Sequence, residues 1–452
     1  MTALLLVGLV ALLLALRQNI ITILVVLVAS IHLIYGEGQL EYMAEDMWIA
    51  LDQDVLLSIP LFILCGSIMT SGAISVRLIN VMREATRSLA GGLGAASILS
   101  CAFFAAISGS SMVTLLAVGT ILYPALRKEG YSQQYSLGAI TSAGTLGVII
   151  PPSIPLIVYG ISTQSSITDL FIAGLIPGLL LTAALLGYSL IINRKLPKYP
   201  FNPNDLWVSI KDGIWSLLMP VILLGGIYSG YFTATESAAV ALSYALIIEL
   251  FVYKEVKIAD LKKIVIETSQ LVGTLAPIIA IAMSLNILLT AEQAPQLLTE
   301  WMNQNIEGEI YFLLSLNAIL LIIGCIMEIN AAILILAPII LPIARSYGID
   351  PIHLGIIMVI NLEIGLLTPP VGFNLVVAMT ALKEKFSDVT RAVIPFVLMM
   401  LGVLIVISFV PELSLFLIDP ATQDLSTQSI DQEQFILMMK QMQENPNLLI
   451  IE

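Results

Sequence analysis

Apolar runs of membrane-spanning length recur along most of the chain and alternate with short polar stretches. A span needs about 20 apolar residues, and a helix satisfies its own backbone hydrogen bonds in lipid. The pattern therefore predicts an all-α polytopic membrane protein. The predicted apolar segments are about 3–16, 19–35, 55–72, 91–127, 133–162, 169–193, 212–230, 236–253, 266–290, 310–344, 353–381 and 393–410.

Basic residues favour the cytoplasmic side of a membrane, and their positions predict the topology. Loop 36–54 carries six acidic residues and no basic one, which places it outside. The basic clusters 77–87 and 127–128 both belong inside, so segment 91–127 has to enter and leave on the same side as a re-entrant helical hairpin. Segment 310–344 is then a second hairpin that enters from outside, and both termini lie on the outer, periplasmic face.

The two hairpins belong to an internal repeat with an offset of 218 residues, by which Pro151 and Pro152 align with Pro369 and Pro370. The ranges 108–153 and 326–371 align without a gap, and most of their identical positions are glycine or proline. An odd number of predicted crossings separates the hairpins, so the two copies have opposite orientation. Inverted repeats with broken helices are typical of secondary transporters whose site lies near the membrane midplane.

Each repeat contains a double proline that interrupts a predicted membrane helix. Proline removes a backbone donor and disfavours helix in the residue before it, which opens the two helices around 145–150 and 363–368. The freed carbonyls suit hard cations such as sodium, and the new helix starts suit anionic groups. A proline-kinked helix whose serines satisfy the backbone is the plainer alternative for either break.

The hairpin tips supply polar groups, and each tip is expected to meet the broken helix of its own repeat. The expected contacts are Ser108, Gly109, Ser110 and Ser111 against Gly144 and Thr145, and Glu328 and Asn330 against Asn361, Glu363 and Thr368. Carboxylates in apolar segments are costly unless they are paired or ion-bound, which favours a cation near Glu328. Glu363 is open to the same role, to pairing with a neighbouring subunit, or to contact with water. Glu236, in "TATE", is expected to form a capping box.

Composition narrows the function further. The chain is 58% hydrophobic and 11% charged, its formal net charge is −13, and it has no basic patch with interleaved aromatic residues. These features exclude a nucleic-acid-binding protein. The three cysteines have no metal-ligand spacing. An intramembrane enzyme that uses Glu328 and Glu363 remains an alternative, although no nucleophile–base pair accompanies the two carboxylates.

Several runs carry a resemblance to a known family: "FFAAISGSS", "GTLGVIIPPSIPLIVYGI", "AAILILAPIILPIA", "GIDPIHLGIIM" and "NLEIGLLTPPVGFNL". Over about residues 3–410 the chain resembles the large membrane subunit of the tripartite ATP-independent periplasmic (TRAP) transporters. The resemblance implies a sodium-coupled importer in a bacterial inner membrane, built as an elevator-type transporter of the ion transporter superfamily. It also implies two partners, a small four-helix membrane subunit and a periplasmic substrate-binding protein that delivers an organic acid.

The resemblance also implies two or more sodium sites, one at each tip and its facing break. Where the family often has an aspartate in the second tip, this chain has Glu328. The residues expected to hold sodium are Ser108, Gly109, Ser110, Ser111, Gly144, Thr145, Glu328, Asn330, Glu363 and Thr368. The residues expected to hold the organic acid between the tips are Ser110, Ser111, Pro151, Pro152, Asn330, Asn361 and Thr368.

The expected domain organisation follows the repeat. Its parts are N-terminal membrane helices (1–90) for scaffold and partner contact, the first transport repeat (91–193, with hairpin 91–127 and broken helix 133–162), scaffold helices (194–309), the second transport repeat (310–391, with hairpin 310–344 and broken helix 353–381), and a C-terminal helix with a polar tail (392–452). Two amphipathic helices are expected, a short one at 258–264 and one at 430–445 in the tail. A self-sufficient sodium/dicarboxylate symporter of similar hairpin architecture, which needs no partner, is the main alternative.

Overall fold

The computed structural model describes residues 18–35 and 40–418, and residues 6, 8–10, 12, 13 and 16 before them. Half of the predicted segment 3–16 and the whole of the predicted tail helix 430–445 lie outside the described residues. In the described part the secondary structure is helical and includes no strand, which confirms the all-α prediction. The α-helices are Ile20–Tyr35, Glu41–Leu51, Ser58–Ser71, Ala73–Thr86, Gly92–Ser108, Ser111–Lys128, Gln133–Gly144, Leu146–Ile149, Ile154–Thr163, Ile167–Ile192, Pro203–Asp212, Ile214–Tyr228, Ala234–Ile247, Ile258–Ala291, Ala294–Asn305, Glu309–Gly324, Ile329–Ser346, Pro351–Gly365, Phe373–Leu382, Phe386–Phe409 and Glu412–Leu415.

Seven helices among the described residues are long and apolar enough to cross a membrane. An eighth is added if Pro203–Asp212 and Ile214–Tyr228, which meet at an angle of 64°, count as one broken span. The helical stretch Gln133–Thr163 is the most enclosed, because the whole of its most apolar 18-residue window is buried. In Phe386–Phe409 only 39% of the corresponding window is buried. The first broken helix therefore lies at the centre of the protein and the C-terminal helix at its edge.

Both predicted hairpins form. The first consists of Gly92–Ser108 and Ser111–Lys128, and the chain reverses between them at Gly109, whose φ of +61° suits a residue without a side chain. The second consists of Glu309–Gly324 and Ile329–Ser346, with Glu328 directly before its second arm.

Both predicted helix breaks form as well. The first broken helix ends its first part at Ile149 and resumes at Ile154, where the Ser153 side chain accepts a hydrogen bond from the Leu156 amide. The second ends at Gly365 and resumes at Phe373. The peptide bonds within both proline pairs are cis. Each interruption creates a new helix start, buried at Ile154 and partly exposed at Phe373.

One sequence prediction about the flanking elements is wrong, and three further helices lie between the predicted segments. The amphipathic stretch 258–264 is not a separate short helix but the first two turns of the continuous helix Ile258–Ala291. Its polar start joins an apolar stretch without a glycine or proline at the junction, so nothing interrupts the hydrogen-bond ladder there. The acidic loop 36–54 contains the helix Glu41–Leu51, and Ala73–Thr86 and Ala294–Asn305 form further polar helices before each hairpin.

Candidate functional site

The first hairpin tip lies against the first broken helix, as the repeat predicts. The Ile154 amide, at the new helix start, donates to the Gly109 carbonyl at 3.2 Å. Gly147 lies so close that an added Cβ would be 2.5 Å from both the Ser110 carbonyl oxygen and the Thr114 hydroxyl. Ser108 is fully buried, and its hydroxyl pairs with that of Thr114 at 2.7 Å. The tip and the broken helix therefore touch through their backbones.

Gly144 and Thr145 lie beside this contact but do not bond to the tip serines. An added Cβ on Gly144 would be 2.9 Å from the Leu115 Cβ, one turn beyond the tip. The Thr145 hydroxyl donates to the Ser142 carbonyl at 2.5 Å within its own helix. Both residues are buried. Gly144 and Thr145 therefore lie next to the tip region without a hydrogen bond to its serines among the described residues.

The second tip lies against the second broken helix in the same manner. The amides of Val371 and Gly372 donate to the Cys325 carbonyl at 3.3 and 3.2 Å. The Glu328 carboxylate caps the second arm, because it accepts the Ala331 amide at 3.1 Å and the Asn330 side-chain amide at 2.7 Å. The Asn330 Oδ1 is buried and has no hydrogen-bond partner among the described residues. It is therefore an available acceptor at the tip.

Asn361 and Thr368 do not meet the second tip, which corrects the predicted pairing. The Asn361 side chain donates to the backbone and side-chain oxygens of Asn317, at 3.0 and 2.6 Å, on the hairpin's first arm. The Thr368 hydroxyl donates to the Ile364 carbonyl at 3.0 Å within its own helix. The helix turns place these two side chains away from the tip, and neither residue lines the cavities described below.

A chain of side-chain contacts crosses from one repeat to the other, and sequence reasoning missed it. The Ser111 hydroxyl donates to Asn374 Oδ1 at 3.3 Å, and Asn374 Nδ2 donates to Glu363 Oε1 at 2.7 Å. Glu363 is fully buried, and its Oε2 has no partner among the described residues. Its carboxylate therefore faces neither water nor the chain's surface. The only sequence signal for Asn374 is that a polar side chain follows "TPPVGF" at the new helix start.

A cavity of about 60 Å³ lies between the two tips. Its lining comes from both hairpins and both broken helices: Gly109, Ser110, Ser111, Met112, Val148, Ile154, Pro155, Glu328, Ile329, Asn330, Leu366 and Phe373. The first residues of four helices, Ser111, Ile154, Ile329 and Phe373, are all in this lining. The starts of helices carry free backbone amides and partial positive charge, so the cavity suits an anionic group.

A second cavity, of about 200 Å³, adjoins the first and shares Ser110, Glu328 and Asn330 with it. Its other wall is the long helix Ile258–Ala291, through Leu271, Thr274, Leu275 and Ile278. Neither lining contains an arginine, lysine or histidine. An anion bound here has to be balanced by helix starts, neutral donors or a bound cation.

The two double prolines differ in their surroundings. Pro151 and Pro152 are buried, whereas Pro369 and Pro370 are exposed. The first break is covered by its neighbours and the second is open. Among the described residues no group of three or more histidine, cysteine, aspartate or glutamate side chains could hold a metal ion, so any cation here would depend on carbonyl, hydroxyl, amide and single carboxylate oxygens.

Comparisons with known proteins were made for the whole chain. The family described as "Tripartite ATP-independent periplasmic transporter, DctM component" matches residues 7–413. The chain is 43% identical over 388 residues to the C4-dicarboxylate TRAP transporter large permease protein DctM of Pseudomonas aeruginosa, covering 85% of this chain and 91% of the relative. It is 39% identical over 385 residues to the isethionate TRAP transporter permease protein DctMQ of Oleidesulfovibrio alaskensis, covering 84% of this chain and 61% of the relative.

A solved structure shares the fold. The crystal structure of the Alcanivorax borkumensis YdaH transporter superposes with a TM-score of 0.59 at 14% identity, and the match covers 82% of this chain and 87% of that one. At this identity the likeness shows the fold alone.

Proposed function

Because the chain belongs to the DctM family of large permease subunits of tripartite ATP-independent periplasmic transporters, we propose that it imports a small organic acid together with sodium across a bacterial inner membrane. The relatives are transporter permeases, so the chain is a membrane transport subunit and not an enzyme. The alternative of an intramembrane enzyme built on Glu328 and Glu363 is therefore wrong.

The observation that carries the proposal is the meeting of four helix starts in one cavity without a basic side chain. The helix starts at Ser111, Ile154, Ile329 and Phe373 supply partial positive charge for a carboxylate or a similar anion, although the Ile154 amide itself already donates to the Gly109 carbonyl. The Asn330 Oδ1, which is buried and has no hydrogen-bond partner among the described residues, can accept from a donor of the ligand or coordinate a cation. Pro151 and Pro152 shape the turn that presents the Ile154 start.

Sodium is proposed at three places in this region. The first is the tip Ser108–Ser111 beside the backbone of Gly144 and Thr145, and the second is Glu328 and Asn330 with the open loop before Pro369. The third is Glu363, where Asn374 donates to one carboxylate oxygen and the other has no hydrogen-bond partner in the described part of the chain. An ionised carboxylate that is fully buried with a single donor is costly unless a cation neutralises it.

The proposed working unit consists of this chain, which has a transport domain and a scaffold, and two partner proteins. The ranges 91–193 and 310–391 form a transport domain that carries both tips, and helices of 1–90 and 194–309 form a scaffold along which it slides. A small four-helix membrane subunit completes the scaffold, and a periplasmic binding protein delivers the organic acid. Both termini are proposed to be periplasmic, in line with the distribution of basic residues.

The substrate is proposed to be a C4-dicarboxylate or a related small acid. Of the two relatives described above, the chain is more similar to the C4-dicarboxylate permease. The other relative is named for isethionate, a compound whose acidic group is a sulfonate and not a carboxylate. Both compounds present a compact anion that helix starts can hold. Succinate and isethionate are therefore the first two compounds to test.

The test is uptake into proteoliposomes that contain this chain, its small membrane subunit and its binding protein. We expect an inward sodium gradient to drive uptake of one radiolabelled acid, and uptake to stop when potassium replaces sodium or when the binding protein is left out. Uptake that needs no binding protein would support the self-sufficient symporter. Uptake that is indifferent to sodium would overturn the coupling proposal.

A further inference from the structure

A second fully buried carboxylate, Glu249, lines neither cavity and is not used by the site described above. It belongs to a π-helical turn, Ile248–Tyr253, at the end of the helix Ala234–Ile247. Its two carboxylate oxygens accept backbone amides from a segment 175 residues away: Ala73 at 3.0 Å and Ile74 at 2.8 Å. Single π-helical turns within α-helices occur frequently at functional sites.

These two amides are the first of the helix Ala73–Thr86, which lies directly before the first hairpin. The N-cap residue of that helix is Gly72, which has no side chain, so no local group caps the helix start. A carboxylate that accepts free amides at a helix start stabilises it through hydrogen bonds and through the helix dipole. Glu249 therefore provides the cap from a different part of the fold.

Gly72 leaves the space that the Glu249 carboxylate occupies. Its φ of −109° and ψ of −162° are ordinary extended backbone, which any residue adopts. An added Cβ would nevertheless overlap the carboxyl carbon and both oxygens of Glu249. Glycine is thus needed at position 72 because the carboxylate approaches it and not because of backbone strain.

The same π-helical turn holds the helix at a second point. The Arg77 guanidinium lies 4.0 Å from the centre of the Tyr253 ring, one turn after the capped amides. Arg77 also forms an ion pair with Asp212 at the end of the helix Pro203–Asp212. Two contacts one turn apart fix both the position and the direction of the helix start.

The other end of the helix is tied to the first hairpin. The Thr86 hydroxyl is within 2.8 Å of the Gly92 carbonyl, at the start of the hairpin, and Ala73–Thr86 packs along Gly92–Ser108. The helix Ala73–Thr86 is thus held at its start by Glu249 and at its end by the hairpin whose tip reaches the candidate site. The helix can guide movement of the hairpin only while Glu249 holds the helix start in place.

We propose that Glu249 is a positioning residue for translocation: it anchors the fixed end of the helix Ala73–Thr86 so that this helix can guide the first hairpin as it moves. The inference rests on the proposed transport function. Because Glu249 touches neither tip, its loss lowers the maximal rate of transport and leaves the affinity of the tips for sodium and acid unchanged.

The test uses the full chain with its partner proteins in proteoliposomes and the acid that the wild type transports. Glu249→Ala is expected to lower the maximal uptake rate about tenfold, an effect of the size of a lost helix cap, while the half-saturating sodium concentration stays within about twofold of wild type. Glu249→Gln, which keeps one acceptor oxygen, is expected to give an intermediate rate. Glu255→Gln, which removes an exposed carboxylate nearby, is the matched control and is expected to behave as wild type.

A double-mutant comparison separates anchoring from general damage. Gly72→Ala alone is expected to displace the carboxylate and to reduce the rate as Glu249→Ala does. In the Glu249→Ala background the same substitution is expected to add nothing, because the overlapping group is gone. Equal rates in wild type and Glu249→Ala, a parallel loss of sodium affinity, or additive losses in the double mutant would each overturn the proposal. Absence of uptake by the wild type would instead contradict the proposed function.

Discussion

The contact between Asn374 and Glu363 permits the sharpest prediction about the candidate site. In Asn374→Leu the branched shape of the side chain is kept, but the donor to Glu363 Oε1 and the acceptor for Ser111 are lost. Both oxygens of a fully buried carboxylate are then without a donor. A hydrogen bond to a charged group contributes about 2 kcal/mol, and its loss corresponds to a roughly 30-fold change in an equilibrium constant.

The sign of the effect depends on what Glu363 binds. If its carboxylate holds sodium together with Ser111, the loss of Asn374 removes the side chain that hydrogen-bonds to both groups and holds them in place. We therefore expect the half-saturating sodium concentration for uptake to rise roughly 30-fold, with a smaller change in the maximal rate. Proteoliposome uptake over a series of sodium concentrations at constant ionic strength measures both quantities.

The matched control is Asn193→Leu. Asn193 is also buried, and it donates to the Ser189 carbonyl at 2.8 Å at the end of another helix, outside both cavities. We expect it to lower thermal stability while its sodium dependence stays that of wild type. A sodium dependence of Asn374→Leu that matches wild type, at normal abundance in the membrane, would show that Asn374 does not support sodium binding at Glu363.

Three further predictions follow from single contacts. Gly147→Ala is expected to abolish uptake and lower the melting temperature, because its Cβ would lie 2.5 Å from the Ser110 carbonyl, whereas Gly187→Ala, with nothing within 4 Å, is expected to be neutral in both assays. Glu236→Ala removes a capping box and is expected to lower the unfolding midpoint in denaturant titration with uptake kinetics unchanged. Thr274→Trp, on the wall of the larger cavity, is expected to block uptake of the acid while sodium binding to the purified protein persists.

The hairpins and the breaks were predictable from the sequence for a physical reason. Basic residues on both sides of segment 91–127 forced it to return to its starting side, and the double prolines could not continue a helix. The capping box at Glu236 was equally local, and the structure confirms it. Each of these features depends on a short stretch of chain and on a strong rule.

The contacts across the repeats were not predictable. Asn374 meets Glu363 within one broken helix and Ser111 in the other repeat, and that pairing depends on how two oppositely oriented units dock. The partner of Asn361 was predicted wrongly because the direction of a side chain on a helix is set by packing, here against Asn317. The hydrogen bond between Glu249 and the Ile74 amide joins residues 175 positions apart, and no local sequence pattern predicts it.

We predict that the two hairpin tips and Glu363 bind sodium, and direct binding of radiolabelled sodium to the purified chain tests this prediction. We predict saturable binding to more than one site per chain, and one site fewer in Glu363→Gln at equal folding and purity. Saturable binding with the same stoichiometry in both proteins, or no saturable binding in the wild type, would contradict the prediction.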